Sequence, residues 1–440
     1  MTEPLRGLAD RLVENAPPRE TVTARLLDGV CALVRGADTL EGAAAARFGA
    51  GLRRHGWSHG TLDDVAVRTA IVRCSELDDI HMPSLTTPGS VVVPVAITVG
   101  AAVDAPAGDL AAAVGAGYEA MTRLGAAIGG PFLIERGIWP TAFTAAFAAA
   151  AATARLVGLD AGQTAEALAQ ALTRTTGAGG GVRGAALWRW LAVGDAARAG
   201  CLAALAAREG FRADLSLERF ATIMHVELDE ASLTHEAPAA IDAVSVKPYP
   251  CAKQCVAVTE AAQRLRTRVA LGDVGAIRVL VPEAYAGMVA RPPQDDVRLS
   301  RIASAAWNVA LALAQPDALR DPDRSLTTSE RRLAALARLV VVRADPELSR
   351  SYPARFPARL EIDAGGHTLV ETVVDAGGDP GPGTTLGAVE DKWRGLLGPA
   401  ATEWTRTTMD AAGGAAALRR LDETLRHGLA ADPRPAVEVA

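Results

Sequence analysis

Apolar residues recur at helical spacing from the start of the chain. Leu5, Leu8, Leu12 and Val13 mark one stripe, and Leu26, Leu27, Val30, Leu33 and Val34 mark another. A continuous apolar stretch over 91–103 follows Pro88-Gly89, and 109–128 sets Leu110, Val114, Tyr118, Met121 and Leu124 on neighbouring faces. From Pro140 to Leu156 nearly every residue is small, with Phe143 and Phe147 one turn apart. Alanine on every face lets helices approach closely, so this segment predicts a central helix. Asp160, with Gln163 three residues on, predicts a capped start for a helix through Leu172. A further helix is predicted from about Leu191 to Glu209, ended by Gly210.

Near residue 240 the pattern changes. The runs 277–281, 338–342, 359–362 and 368–374 are rich in β-branched residues, and the last two flank Asp363-Ala-Gly-Gly366, a hairpin turn. Helices at about 251–268 and 299–314 lie among them, and the loop Gly377-Gly-Asp-Pro-Gly-Pro-Gly383 closes the section. Helix then resumes at about 386–397 and 410–430, with Leu418, Leu421 and Leu425 on one stripe. The predicted class is mainly α with an inserted α/β domain. Its predicted parts are helices over 1–240, α/β over 241–385, helices again over 386–431, and a loose tail over 432–440.

Composition narrows the function classes. With 440 residues, 49% of them apolar, the chain buries one large core or two ordinary ones, which excludes a peptide module. Charged residues are 22% of the chain and the net charge is −6, so there is no general footprint for nucleic acid or anionic lipid. The basic residues are lopsided: Lys247, Lys253 and Lys392 are the three lysines, and the other 42 are arginine. Five cysteines, few and odd in number, predict reduced thiols in a cytoplasm. Met1-Thr2-Glu3-Pro4 lacks the apolar region of a signal peptide. The apolar run 141–154 is short of the ~20 residues a membrane span needs. No membrane segment is predicted.

Five constellations bear on chemistry. Gly179-Gly-Gly181-Val-Arg-Gly184 has the letters of a dinucleotide loop but follows a helical pattern, so a helix connection explains it better. Cys251 and Cys255 stand one helical turn apart without a second ligand pair, and His225 and His235 lie in a polar segment; buried structural thiols are favoured over metal. Glu76-Leu-Asp78-Asp79-Ile-His81 packs three carboxylates and an imidazole against an apolar helix, which is expensive unless the site is wet, paired or catalytic. The bland alternative is a solvated loop with Asp78 or Asp79 capping the next turn. Lys247-Pro-Tyr-Pro-Cys251 holds a lysine on rigid backbone before a helix, suited to binding a carboxylate or, if desolvated, moving a proton; the alternative is a linker lysine in water. Trp139, Trp188, Trp190 and Trp307 are four of seven tryptophans, near helix starts, and fill a core or wall a pocket.

Together these segments resemble the MmgE/PrpD family, which includes 2-methylcitrate dehydratase, cis-aconitate decarboxylase and iminodisuccinate epimerase. The resemblance rests on Leu77 to Ser90, Gly117 to Gly125, Gly137-Ile-Trp-Pro-Thr141, Leu191 to Gly200 and Lys247-Pro-Tyr-Pro-Cys251, which occur in family order. It implies a large helical domain built from both chain ends, a smaller α/β lid domain, a homodimer, and an active site without metal or organic cofactor. It also implies chemistry on small carboxylic acids, begun by removing a proton beside a carboxylate or imine.

The family's active-site imidazoles are largely replaced. Thr87 stands for the histidine of its T-H-P-G segment, Trp139 for that of G-F-H-P-T, and Ala192 for that of L-H-x-G-x-A-A. Arg189 matches a lysine, Ile80 a threonine, Ala252 a decarboxylase histidine, and Trp307 falls near a lid tyrosine, while Lys247 and Tyr249 keep their motif. The proton-moving roles then fall on Lys247, His81, Glu76, Asp78 and Asp79. Arg189, Trp139, Thr87, Trp188, Tyr249 and Trp307 are the substrate-binding candidates. The leading expectation is a cofactor-independent lyase or isomerase acting by α-proton transfer on a small carboxylic acid less anionic than citrate-type substrates. A catalytically silent ligand-binding or partner protein is the alternative from another class, and a methylcitrate-type dehydratase is a weaker one.

Overall fold

The computed structural model describes residues 3–14, 16–58, 60–175, 177, 187–213, 215–234, 239–292, 298–323 and 330–430. The chain is 67% helical, with one small mixed sheet of four strands, which agrees with a mainly α protein carrying a small α/β region. Its described residues fall into two compact units, Lys247–Asp379 and the residues on either side of that segment.

In the helical unit the long alanine-rich helix Pro140–Leu156 is buried almost throughout. The helices Ala107–Ala127, Ala161–Leu172 and Trp188–Arg208 pack around it. Small side chains make that crowding possible. A methyl group on Gly200 would be driven into the carbonyl of Ala146, and one on Gly194 into that of Ala66. The Trp188–Arg208 helix is long and apolar enough to cross a bilayer, yet it packs against the helices Thr61–Ser75, Pro140–Leu156 and Ala161–Leu172. Asp160 and Gln163 form the reciprocal cap their spacing predicts.

The C-terminal return is Leu386–Leu397, then two helices, Ala400–Ala411 and Ala415–Ala430, in place of the single predicted helix over 410–430. Gly413-Gly414 breaks the run, because glycine there gives no side chain to hold a continuous helix. Buried charges tie this return to the N-terminal helices. Arg68 pairs with Asp422 and donates to Thr98 Oγ1 at 2.7 Å, and Lys392 Nζ donates to Asp28 Oδ1 at 2.7 Å.

The α/β unit holds strands β1 (Val274–Val281), β2 (Val340–Ala344), β3 (Ala358–Ala364) and β4 (His367–Val373), in the order β2-β1-β3-β4. β1 is parallel to β2 and antiparallel to β3, and β3 pairs antiparallel with β4. The β3–β4 turn is the predicted one, with Gly365 and Gly366 both at positive φ (58° and 81°), as a tight hairpin requires. The helix Lys253–Leu265 covers β3 and β4. The predicted helix over 299–314 is interrupted: Ser304 caps a fresh helix, Ala305–Ala314, by accepting from the Trp307 amide. All five cysteines are buried and unbridged. The glycine loop 179–184, His235 and the tail 432–440 lie outside the described residues.

Candidate functional site

The helix Thr61–Ser75 ends at Glu76, whose left-handed backbone (φ 57°) turns the chain sharply into the acidic segment. That conformation is uncommon for a residue with a side chain and is a local strain the surroundings must hold. The consequence is geometric. Arg73, on the last helical turn, reaches Glu76 Oε1 at 3.0 Å and Asp78 Oδ1 at 3.2 Å. Burial alone would weaken the Arg73 charge, but Asp78 and Glu76 outweigh it and raise its pKa. The acidic segment is therefore buried and paired rather than a solvated loop.

Every following residue of the segment is pinned. Lys392 Nζ donates to the Leu77 carbonyl at 2.8 Å. Asp79 accepts from the Gly89 amide at 2.8 Å and from the Tyr118 hydroxyl at 2.5 Å, so it caps the helix Gly89–Ala102 from ten residues away. Burial pushes the Asp79 carboxyl up to about 6 against the opposing pull of Arg25 and these two donors. Ile80 and Ser245 exchange both backbone hydrogen bonds, at 2.9 and 2.7 Å. His81 shares a 2.8 Å hydrogen bond with Ser84 Oγ, and burial lowers its pKa to about 4, leaving a neutral imidazole at pH 7.

Against this segment stands an aromatic and cationic cluster. Trp139 immediately precedes the helix Pro140–Leu156 and Trp190 lies in the first turn of Trp188–Arg208; their rings meet edge to face, centroids 5.7 Å apart. Two guanidiniums lie over these indoles. Arg189 is 4.3 Å from the Trp139 centroid and 4.8 Å from that of Trp190, and Arg73 is 5.1 and 5.5 Å from the same rings. Arg189 Nε is buried with no hydrogen-bond partner among the described residues. Burial, then the neighbouring charge of Arg73, lowers the Arg189 pKa to about 10, with Glu76 acting the other way. Among the described residues no group of three histidine, cysteine or acidic side chains is placed to hold a metal ion.

Residues 19–219 match the MmgE/PrpD N-terminal domain and residues 249–411 match the MmgE/PrpD C-terminal domain. The chain belongs to the MmgE/PrpD family. Membership carries a lyase- or dehydratase-type function as the family's general activity. No curated protein matches the chain closely enough to name a reaction.

Of the residues singled out in this MmgE/PrpD sequence, the helical unit brings Glu76, Asp78, Arg189 and Trp139 into one cluster. Asp79 and His81 flank it in the same segment, each with partners of its own. Thr87 is buried, its hydroxyl 3.0 Å from Ser90 Oγ and 3.2 Å from Thr141 Oγ1, which joins two family segments. Trp188 is 50% exposed and stands apart from the cluster, so the place expected for it goes to Trp190. Two residues on a helix are turned about 200° from each other, and only one of that pair can face inward. In the α/β unit Lys247 is buried, Tyr249 donates its hydroxyl to Gln263, and Trp307 is buried under Arg301 with Nε1 unpartnered among the described residues. Lys253 and Lys392 are held in ion pairs: Lys253 pairs with Asp379, and Lys392 with Asp28. Arg73 is the residue sequence reasoning missed. Its signal was present, since it precedes Glu76 by three residues and ends the same helix.

Proposed function

We propose that this protein is a cofactor-independent lyase or isomerase that moves a proton α to the carboxylate of a small carboxylic acid less anionic than the family's citrate-type substrates. The observation that carries the reading is Arg189, a mostly buried cation without an ion-pair partner among the described residues, beside the Arg73–Glu76–Asp78 triad in a chain matched by both family domains. A buried guanidinium held on aromatic faces is suited to grip a carboxylate. Lys247 is assigned the role of proton carrier. It follows Ser245 by two residues, and Ser245 is bonded to Ile80 of the acidic segment. Glu76 and Asp78 are the partnering acid and base, and His81, uncharged at pH 7, accepts rather than donates a proton there. A cytoplasmic homodimer belongs to the same proposal.

The test is isotope exchange. Candidate acids are incubated with the protein in D₂O, and the α-position is read by NMR or mass spectrometry, with Lys247→Ala as control. Deuteration that Lys247→Ala lowers at least 100-fold supports the reading; none with any small acid, or exchange indifferent to the substitution, sinks it. One observation favours a second reading: both Glu76 and Asp78 are engaged by Arg73, as in a site that binds without reacting. Acid binding without exchange would select that silent binding protein.

A further inference from the structure

We infer that Arg189, seated against Trp139 and Trp190, anchors a single carboxylate, so that the substrate is a monocarboxylic acid whose remainder is apolar. This deepens the proposed function and rests on its reading of the cluster as a carboxylic-acid site.

What carries this is the tally of ion-pair partners. The cluster contains two guanidiniums and two carboxylates. Arg73 is committed to both acids, to Glu76 at 3.0 Å and to Asp78 at 3.2 Å. Arg189 makes no hydrogen bond or ion pair among the described residues, and its Nε is buried. The other basic groups near the segment are engaged elsewhere: Arg25 faces Asp79 and donates to the Thr384 carbonyl. His81 is bound to Ser84 and is neutral at pH 7, while Lys392 is held by Asp28 and the Leu77 carbonyl. One carboxylate therefore gives Arg189 the partner it lacks among the described residues. It replaces the hydration that Arg189 has lost, and it relieves the repulsion between two guanidiniums lying over the same pair of indoles.

A second carboxylate on the same molecule would meet Glu76 and Asp78 rather than a cation, a like-charge encounter in a desolvated setting. The material around Arg189 is otherwise aromatic. Trp139 and Trp190 are 7% and 3% exposed, and their indoles offer carbon surface but no charge.

The experiment is a titration of intrinsic tryptophan fluorescence, excited at long wavelength, with butyrate, phenylacetate, succinate and citrate at constant ionic strength. The monocarboxylates should bind at least 10-fold more tightly than succinate or citrate. Arg189→Met should weaken phenylacetate about 10- to 100-fold, the worth of one charged hydrogen-bonded contact, and Arg189→Lys should restore part of that loss. Equal or tighter binding of succinate or citrate overturns the inference, as does unaltered phenylacetate binding by a folded Arg189→Met or a failure of every acid to bind. Circular dichroism checks the fold of each variant, and the wild-type series of four acids decides the matter if a variant does not fold. The two proposals separate cleanly. Selective binding without α-deuteration leaves the anchor standing and removes the enzyme, whereas deuteration indifferent to Arg189→Met does the reverse.

Discussion

Asp79 and His81 lie two residues apart, and burial gives them opposite pH dependences. Burial holds the Asp79 carboxyl at about 6, whereas an unfolded aspartate titrates near ~3.9. Between those values the folded chain binds the extra proton, so the contribution of Asp79 to stability falls as pH rises through that window. Burial holds the His81 imidazole at about 4, below the ~6.5 of an unfolded histidine. There the unfolded chain binds the extra proton, and the contribution of His81 rises with pH. Asp79→Asn removes the first slope and keeps the second. Urea unfolding at pH 4, 5, 6 and 7 should show the variant gaining on the wild type by on the order of 2–3 kcal/mol across the range. Parallel stability curves would show that Asp79 ionises as freely in the folded chain as in the unfolded one.

The helix Trp188–Arg208 joins packing to the site. Its first turn carries Arg189 and Trp190, and its middle presses Gly194 and Gly200 against neighbouring backbone. A methyl at Gly194 has only the carbonyl of Ala66 to move against, and backbone yields less readily than the end of a side chain. Gly194→Ala should therefore cost about 1–3 kcal/mol in chemical denaturation and should also shift the tryptophan emission, because Trp190 rides on the same element. Leu202→Ala, on the exposed side of that helix, should stay within about 0.5 kcal/mol of wild type and leave emission unchanged. Similar losses in the two variants would mean that close approach is not what Gly194 provides.

Across the whole molecule, what was legible in the sequence is what is local. The Asp160–Gln163 cap, the Pro140 helix start and the Gly365-Gly366 hairpin each lie within a few residues, and each was readable from spacing. The family motifs were readable because they are contiguous. What was not legible joins distant segments or chooses between neighbours. Asp28 and Lys392 are 364 residues apart, and nothing in either local pattern names the other. Trp188 and Trp190 differ only in the face of one helix, which packing decides. Arg68 and Asp422 are a second such case, a buried pair 354 residues apart that fastens the C-terminal return to the N-terminal helices. Asp422→Ala leaves the Arg68 guanidinium buried and unpaired, and should lower stability by about 3–5 kcal/mol. Differential scanning calorimetry measures that loss, and a variant that melts like the wild type would place Arg68 in water.

All three lysines are buried: Lys247 is 2% exposed, Lys253 is 3% exposed, and the Lys392 side chain is 6% exposed. The folded chain thus offers an amine-reactive reagent no accessible ε-amine, although 42 arginines decorate its sequence. Ester-based dyes, amine crosslinkers and lysine-directed surface immobilisation should leave its lysines untouched until it unfolds, reacting with no more than an α-amine. Acylation followed by mass spectrometry then becomes a measure of opening: each added acyl group reports which buried nitrogen has met solvent, with Lys247 reporting on the α/β unit and Lys392 on the helical return.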